Sequence, residues 1–306
     1  MQYLRSYRVK TLSGDIMLKV LSKDAYQTTL ANIDLGDIGN TKKASIVWDD
    51  GIARQSYVKV YKPEERCRKL CNEAIGYILG KSLNLLQPDM AALMPISDFI
   101  KPEFQNIADI NSGGVVWAWV TTECGDSLKA QFRIKSHPNS DEIEQNTQFI
   151  SECLNFLAKK DGLSEIIAFD DLIANNDRNL GNLVISQDGS VGIIDHGEIL
   201  GQIDWIQHLP SLLNDQYFRN IVLEIVTNFS ESQFQIRGAS VLAYSKHKDA
   251  FLNVQKDVNY WLSVLLRLSN TNDSYQTQCL LKLIDYLSTR SNEPAEMFAQ
   301  RIGLVA

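Results

Sequence analysis

Asp177, Asn182 and Asp195 stand in the stretch NNDRNLGNLVISQDGSVGIIDHGEI, residues 175–199, with Asn182 five positions after Asp177 and Asp195 thirteen after Asn182. Asp and Asn are poor residues for helix or strand interiors, so a purely structural loop had easier choices. Three oxygen-bearing side chains in such a stretch suggest a metal and a phosphate.

The Asp-x4-Asn spacing is that of a kinase catalytic loop, in which the Asp takes the acceptor hydroxyl proton and the Asn holds magnesium. Asp195 ends the apolar run VGII and precedes His196-Gly197, a position suited to a metal that bridges phosphates. Any one of these residues alone reads as turn chemistry. The ordered set reads as a site.

Phosphoryl transfer also asks for a lysine on a rigid strand and a carboxylate to hold it. Lys59 lies in SYVKVY, where alternation sets it opposite Val58 and Val60. Glu73, in the helix that follows, stands beside the apolar stripe, and an ionised Glu there needs a partner. Lys59 is the expected one. Upstream, GDIGNTKKAS, from Gly36 to Ser45, reads as a loop with small residues, Gly39 and Thr41 among them, where backbone N–H groups can reach phosphate oxygens. It lacks both standard glycine-rich phosphate motifs.

The elements that must position these residues follow from periodicity. Before about residue 125 the chain is strand-rich: YQTTLANID, KASIVW, RQSYVKVY and GGVVWAWVTT, with Asp49-Asp50-Gly51 as a hairpin connection. A small antiparallel sheet is expected, interrupted by one helix from about Glu64 to Leu83. Beyond residue 125, helical spacing dominates in IEQNTQFISECLNFLAKK, LSEIIAFDDLIAN, DWIQHLPSLL, RNIVLEIVTNF, a long stretch ending WLSVLLRL, and CLLKLIDYL. NLVI and VGIIDH read as short strands around the turn SQDGS. With 306 residues, two parts are expected, residues 1–122 and residues 123–306.

Composition bounds the partners. A net charge of −7, with no basic run interleaved with aromatics, argues against direct nucleic-acid binding. No apolar stretch of about 18 residues could span a bilayer, and the N-terminus has no secretory core, so a cytoplasmic protein without membrane contact is expected. The five cysteines lack paired metal spacing; Cys67 and Cys71, one turn apart, read as small apolar residues on a buried face. His137, His196, His208 and His247 form no metal-spacing pair, and His196 reads as a packing or hydrogen-bonding residue beside Asp195.

NNDRNLGN resembles the N-x-D-x-H-x-x-N catalytic loop of the HipA-like serine/threonine kinases, and IIDHG resembles the metal-binding segment of a compact branch of that family. NEAIGYILGKSLNL is similar to the family's lysine-pairing helix. The resemblance implies a bilobal, protein-kinase-like α+β fold, with a small β-rich N-lobe and a larger helical C-lobe. It implies an ATP- and magnesium-dependent enzyme that phosphorylates Ser or Thr of a protein. By resemblance Asp177 is the catalytic base, Asn182 and Asp195 are the magnesium ligands, Lys59 contacts phosphate and Glu73 pairs with it. Thr121 to Glu123 would be the hinge whose backbone meets adenine, and a Ser or Thr between Thr41 and Ser45 would be a candidate autophosphorylation site.

Asn179 stands where the family usually has His, a residue that orients the loop. The chain is shorter than the full-length toxins of the family and is read as lacking their extra N-terminal subdomain, so toxin function does not follow, although an antitoxin-like regulator is a partner the resemblance allows. A pseudokinase or nucleotide-binding regulatory module is the alternative. Phosphoinositide kinases, which share a DRN-x-x-N-like loop and a later Asp, are another, with no basic amphipathic face here to support lipid.

Overall fold

The computed structural model describes residues 18–33, 40–107, 109–111, 114–213, 218–228 and 233–304. The chain divides into two compact units, residues 1–62 with 89–123, and residues 63–88 with 124–306. Helix takes 48% of the chain and strand 16%, and the strands concentrate in the first unit while the helices fill the second, which makes the class α+β.

The first unit is built on a six-stranded sheet of β1 (Leu18–Val20), β2 (Tyr26–Ile33), β3 (Thr41–Val47), β4 (Ala53–Lys59), β5 (Ala91–Pro95) and β6 (Trp117–Thr122), in the order β1-β5-β6-β4-β3-β2. The sheet is mixed, not antiparallel as expected, because β1 runs parallel to β5. Both of these strands escape the alternation rule. β5 is AALMP, a short continuous apolar run whose first four residues are all buried, so it carries no period-2 signal.

The β3–β4 hairpin turns at Asp49-Asp50-Gly51, where Gly51 has φ +78° and Asp50 Oδ1 accepts from the Ile52 N–H at 3.0 Å. One face of the sheet, carrying Ala44, Ile46, Val58, Ala92, Met94, Ala118 and Val120, forms the core of this unit with Trp48, Ile100 and Phe104. Thr41 to Ser45, expected as loop, belongs to β3 and pairs along its length with β4. The alternation of Ala44 and Ile46, both fully buried, with Lys43 and Ser45 is what holds this segment in the sheet.

The second unit begins with α1 (Pro63–Ser82), which the sequence placed with the N-terminal strands. Residues Cys67 to Gly80 are all buried, so α1 is a central helix covered on every side, not an amphipathic one. Cys67 and Cys71 are among them, and all five cysteines are free thiols.

Then follow β7 (Asp126–Ser127), α2 (Leu128–Gln131), α3 (Ile143–Leu157), α4 (Leu163–Leu172), β8 (Leu183–Ile185), β9 (Val191–Ile193), α5 (Ile221–Thr227), α6 (Gln233–Tyr244), α7 (His247–Leu265), α8 (Asp273–Ser291) and α9 (Ala295–Arg301). The strands β7, β8 and β9 form a small antiparallel sheet. DWIQHLPSLL is not an α-helix: it consists of turns and one 3₁₀ turn at Leu209–Ser211. Pro210 cannot continue a helix interior, and Trp205 is fully buried, with its Nε1 donating to Asn72 Oδ1 of α1 at 3.1 Å. The long stretch to WLSVLLRL is two helices, α6 and α7, separated at residues 245–246.

Candidate functional site

In the second unit the loop that carries Asp177 and Asn182 lies between the end of α4 and β8. The helix stops at Leu172, three residues earlier than the sequence suggested, because Ala174 takes a positive φ of +50° and turns the chain. Asn175 then holds the turn from both ends: its Nδ2 donates to Asp170 Oδ1 at 3.1 Å, and its Oδ1 accepts from the Asp177 N–H at 3.0 Å. Leu200 and Gly201 donate backbone N–H groups to the carbonyls of Ile173 and Ala174 at 2.9 and 2.8 Å. The entry to the loop is thereby fixed to the segment that follows Asp195.

Within the loop Asn179 Oδ1 accepts from the Gly181 N–H at 2.8 Å, and its Nδ2 donates to Asp177 O at 3.2 Å. Asn182 Nδ2 donates to the same carbonyl at 3.1 Å. The Asn179 amide thus closes the turn from Asp177 to Gly181. Asn182 O accepts from the Ile194 N–H at 3.0 Å, which ties the loop to the end of β9. With the amide nitrogen of Asn182 spent on the loop, its oxygen is the end suited to a cation.

Asp195 has φ +63°, a left-handed conformation that Asp tolerates better than most residues. Its Oδ1 accepts from the Gly197 N–H at 3.4 Å, and the residue is exposed. The flanking residues hold it there. Arg178, 0% exposed, donates from Nη1 to Ile194 O at 2.5 Å and to Asp195 O at 3.3 Å, and its Nη2 lies 3.3 Å from His196 Nδ1. The guanidinium is balanced by Asp170, with Nη2 3.0 Å from Oδ1 and Nε 3.2 Å from the same oxygen.

On the other side α1 meets residues 196–198 with one face. Glu73 Oε2 accepts from the His196 N–H at 3.0 Å, Asn72 Nδ2 donates to Gly197 O at 2.8 Å, and Glu198 pairs with Lys69 at 2.7 Å and Arg68 at 3.1 Å. The His196 ring packs against Gly76 and lies edge-on to Phe169, in keeping with the packing and hydrogen-bonding role expected of it. Glu73 is 1% exposed and is thus a buried acceptor for this turn.

Asp177 is half-buried in the loop, and burial raises its proton affinity above the ordinary carboxylate range. The negative charges of Asp195 and Glu198 raise it further, while Arg178 and Lys69 oppose them. A carboxylate so placed is a stronger base than one in water. Among the described residues no three His, Cys, Asp or Glu side chains are grouped to hold a metal. Asn182 and Asp195 supply one amide oxygen and one carboxylate, which suits magnesium completed by phosphate oxygens and water but not a metal caged by protein alone.

In the first unit the register sets Thr41 opposite Lys59, and Lys43 and Thr121 on either side of Tyr57. Directly paired residues share a face, so Thr41, Lys59 and Thr121 lie on the face opposite the core of that unit. Glu123 follows immediately, its Oε1 taking Lys43 Nζ at 2.6 Å and the Tyr57 hydroxyl at 3.5 Å.

The N–H groups of Thr122 and Glu123 already donate to Met90 O and Gln55 O, each at 3.1 Å, because β6 has strands on both sides. Gly39 lies outside the described residues.

The structure thus gathers Glu73, Asp177, Asn182 and Asp195 in the second unit, and Thr41, Lys59, Thr121 and Glu123 in the first. The sequence did not single out Arg178 or Asp170, although the pattern DDLIANNDR carried a signal in a helix ending on paired acids eight residues before an Arg. No family model matches the chain, and no curated protein matches it, so the reading of this site rests on its residues and their geometry.

Proposed function

We propose that the chain is an ATP- and magnesium-dependent phosphotransferase, a HipA-like protein serine/threonine kinase of bilobal architecture. The observation that carries this reading is the buried Arg178 guanidinium, which ties the Asp177–Asn182 loop to the Asp195 turn and to Asp170. A loop kept only for its turns has no need of a buried guanidinium joining three segments.

In the proposed reaction Asp177 accepts the proton of a Ser or Thr hydroxyl as the acceptor oxygen forms a bond to the γ-phosphorus. The bond from that phosphorus to the β,γ-bridging oxygen breaks, and ADP leaves with that bond's electron pair. Asn182 and Asp195 would hold a magnesium ion, which would neutralise phosphate charge. Lys59 takes phosphate oxygens from the sheet face it shares with Thr41, and Glu73 holds the Asp195 turn through the His196 N–H. Arg178 and Asn179 keep Asp177 and Asn182 in place.

Transfer of radiolabel from ATP, beside nucleotide-dependent thermal stabilisation with and without magnesium, tests the proposal. Asp177→Ala is expected to abolish transfer while leaving ATP binding largely intact. Asp195→Ala is expected to remove the magnesium-dependent part of ATP binding. Wild-type transfer retained in both variants would remove the assignment, and nucleotide binding by the wild type without transfer would make the chain a nucleotide-binding module instead. Transfer to lipid in preference to protein would shift the substrate class.

A further inference from the structure

The two segments that meet at the entry of the Asp177 loop are both held in costly backbone conformations. Among the described residues the non-glycine residues with a positive φ are Asn84, Arg133, Ala174, Asp195, Leu200 and Gln202, and the last four bracket the candidate site. Asp tolerates the left-handed region, but Ala174 at +50°, Leu200 at +59° and Gln202 at +60° are of types for which it is disfavoured, by roughly tenfold each. Gly201, at +67°, stands between the last two, so residues 200–202 run left-handed in succession where such residues normally occur singly.

Two backbone hydrogen bonds hold the arrangement, Leu200 N–H to Ile173 O at 2.9 Å and Gly201 N–H to Ala174 O at 2.8 Å. Leu200 is fully buried, and Gly201 comes so close to Phe218 that a Cβ would lie 1.8 Å from its Cε1, whereas Gln202 is exposed. A second observation lies in the loop itself. Asn176, next to Asp177, buries its side-chain oxygen without a hydrogen-bond partner among the described residues. A buried acceptor without a donor loses its hydration, and regains it only when the segment moves. Strain on both sides of two hydrogen bonds, with an unmet acceptor beside them, favours a second arrangement, and strained residues of this kind gather at switch segments.

We propose that residues 173–174 and 200–202 form a strained catch that opens while the rest of the second unit stays folded, releasing Ala174, Leu200 and Gln202 from the left-handed region and wetting Asn176 Oδ1. In the closed arrangement Ala174 and Asn175 lead Asp177 to its place, and with the catch open that lead is lost, so phosphoryl transfer proceeds from the closed state alone. This last step rests on the phosphotransferase reading; the opening does not. The Asp195 turn is held separately, by Glu73 and Asn72 of α1 at His196 and Gly197, so the catch gates Asp177 rather than Asp195.

The experiment is hydrogen exchange of the full chain at low urea, read at the Leu200 and Gly201 N–H groups, beside label transfer, for the wild type, Gln202→Gly, Gln202→Val and Asn176→Leu. In the wild type these two groups should exchange at least about a hundredfold faster than the N–H groups inside α4, because local opening needs less free energy than global unfolding. Gln202→Gly, which takes the left-handed region freely, should slow them by about threefold to tenfold, and Gln202→Val, whose branched side chain resists that region, should quicken them by about tenfold. Asn176→Leu, which removes the unmet acceptor, should slow them as well. Transfer should be lost at a lower urea concentration than the fold, with the gap narrowed in Gln202→Gly and widened in Gln202→Val. Exchange at Leu200 and Gly201 no faster than inside α4, or equal rates in the two Gln202 variants, overturns the catch; those variants decide the matter should Asn176→Leu fail to fold. Transfer that persists until the fold is lost overturns the gating of Asp177. A wild type that transfers no label removes the phosphotransferase reading, and exchange then decides the catch by itself.

Discussion

At the scale of the residue, the Asp170–Arg178 pair decides whether the loop keeps its shape. Both side chains are at most 1% exposed, and removing one partner of a buried ion pair leaves the other charge uncompensated at a cost of about 3–5 kcal/mol. Asp170→Asn should therefore destabilise the fold by about that amount. It should also reduce transfer in the fraction that remains folded, because Arg178 is what fixes Ile194 O and Asp195 O. Denaturant unfolding beside the transfer assay checks both; a variant as stable and active as the wild type would show the pair to be dispensable.

The two halves of this arrangement differ in how far they could be read from the chain. Asp177, Asn179 and Asn182 were legible because their hydrogen bonds close within six residues. Arg178 was not, since its partners stand eight residues before it and 16 to 18 after it, and only the fold brings them together.

At the scale of the element, α1 is the support of the Asp195 turn, and Gly76 is what allows the approach. A Cβ at position 76 would lie 2.2 Å from His196 Cγ, a side chain itself hemmed in by Phe169 and Arg178. Gly76→Ala thus sets two effects against each other. Ala is better than Gly in a helix interior by roughly 0.5–1 kcal/mol, but overpacking typically costs about 1–3 kcal/mol. The clash should win. The variant is expected to be less stable and to bind nucleotide with less dependence on magnesium, as His196 is pushed toward Asp195.

Gly238→Ala in α6 is the control, for a Cβ there meets nothing within 4 Å and should stabilise by up to about 1 kcal/mol. Thermal midpoints for both variants, with nucleotide binding for the first, check the pair; a stabilised Gly76→Ala would mean that His196 has room to move. The helix itself was legible from Pro63 and the apolar spacing, but its centrality was not. Lys69, Asn72 and Glu73 gave it polar positions that look like a wet face, and all three are buried because the turn at residues 196–198 supplies their partners.

At the scale of the whole molecule, the second unit carries buried charge in tandem. Asp171, next to Asp170, faces the C-terminal helices, where it holds Arg290 of α8 at 3.2 Å and Arg301 of α9 at 2.7 Å. Arg290 also donates to the carbonyls of Asp171 and Leu172 at the end of α4, so the helix that leads to Asp177 is capped from the far end of the chain. None of this had a local signature, and α9 was not anticipated.

Beside that network sits His247, 1% exposed at the start of α7, its ring 4.5 Å from that of Tyr244 and its Nδ1 without a hydrogen-bond partner. Burial first, then the Arg290 charge, depress its pKa from 6.5 to about 3. The folded state thus keeps His247 neutral in a range where the unfolded chain takes up a proton, so stability is full above pH 6.5 and is lost as pH falls toward about 3. One proton sets the limit at about 1.4 kcal/mol per pH unit. Between pH 7 and 5 the wild type should lose roughly 2 kcal/mol to this group, and His247→Gln, which cannot titrate, should lose that much less over the same interval. Unfolding by urea at the two pH values measures the difference, and a variant that follows the wild-type pH profile would place the acid sensitivity of the molecule elsewhere than at the buried start of α7.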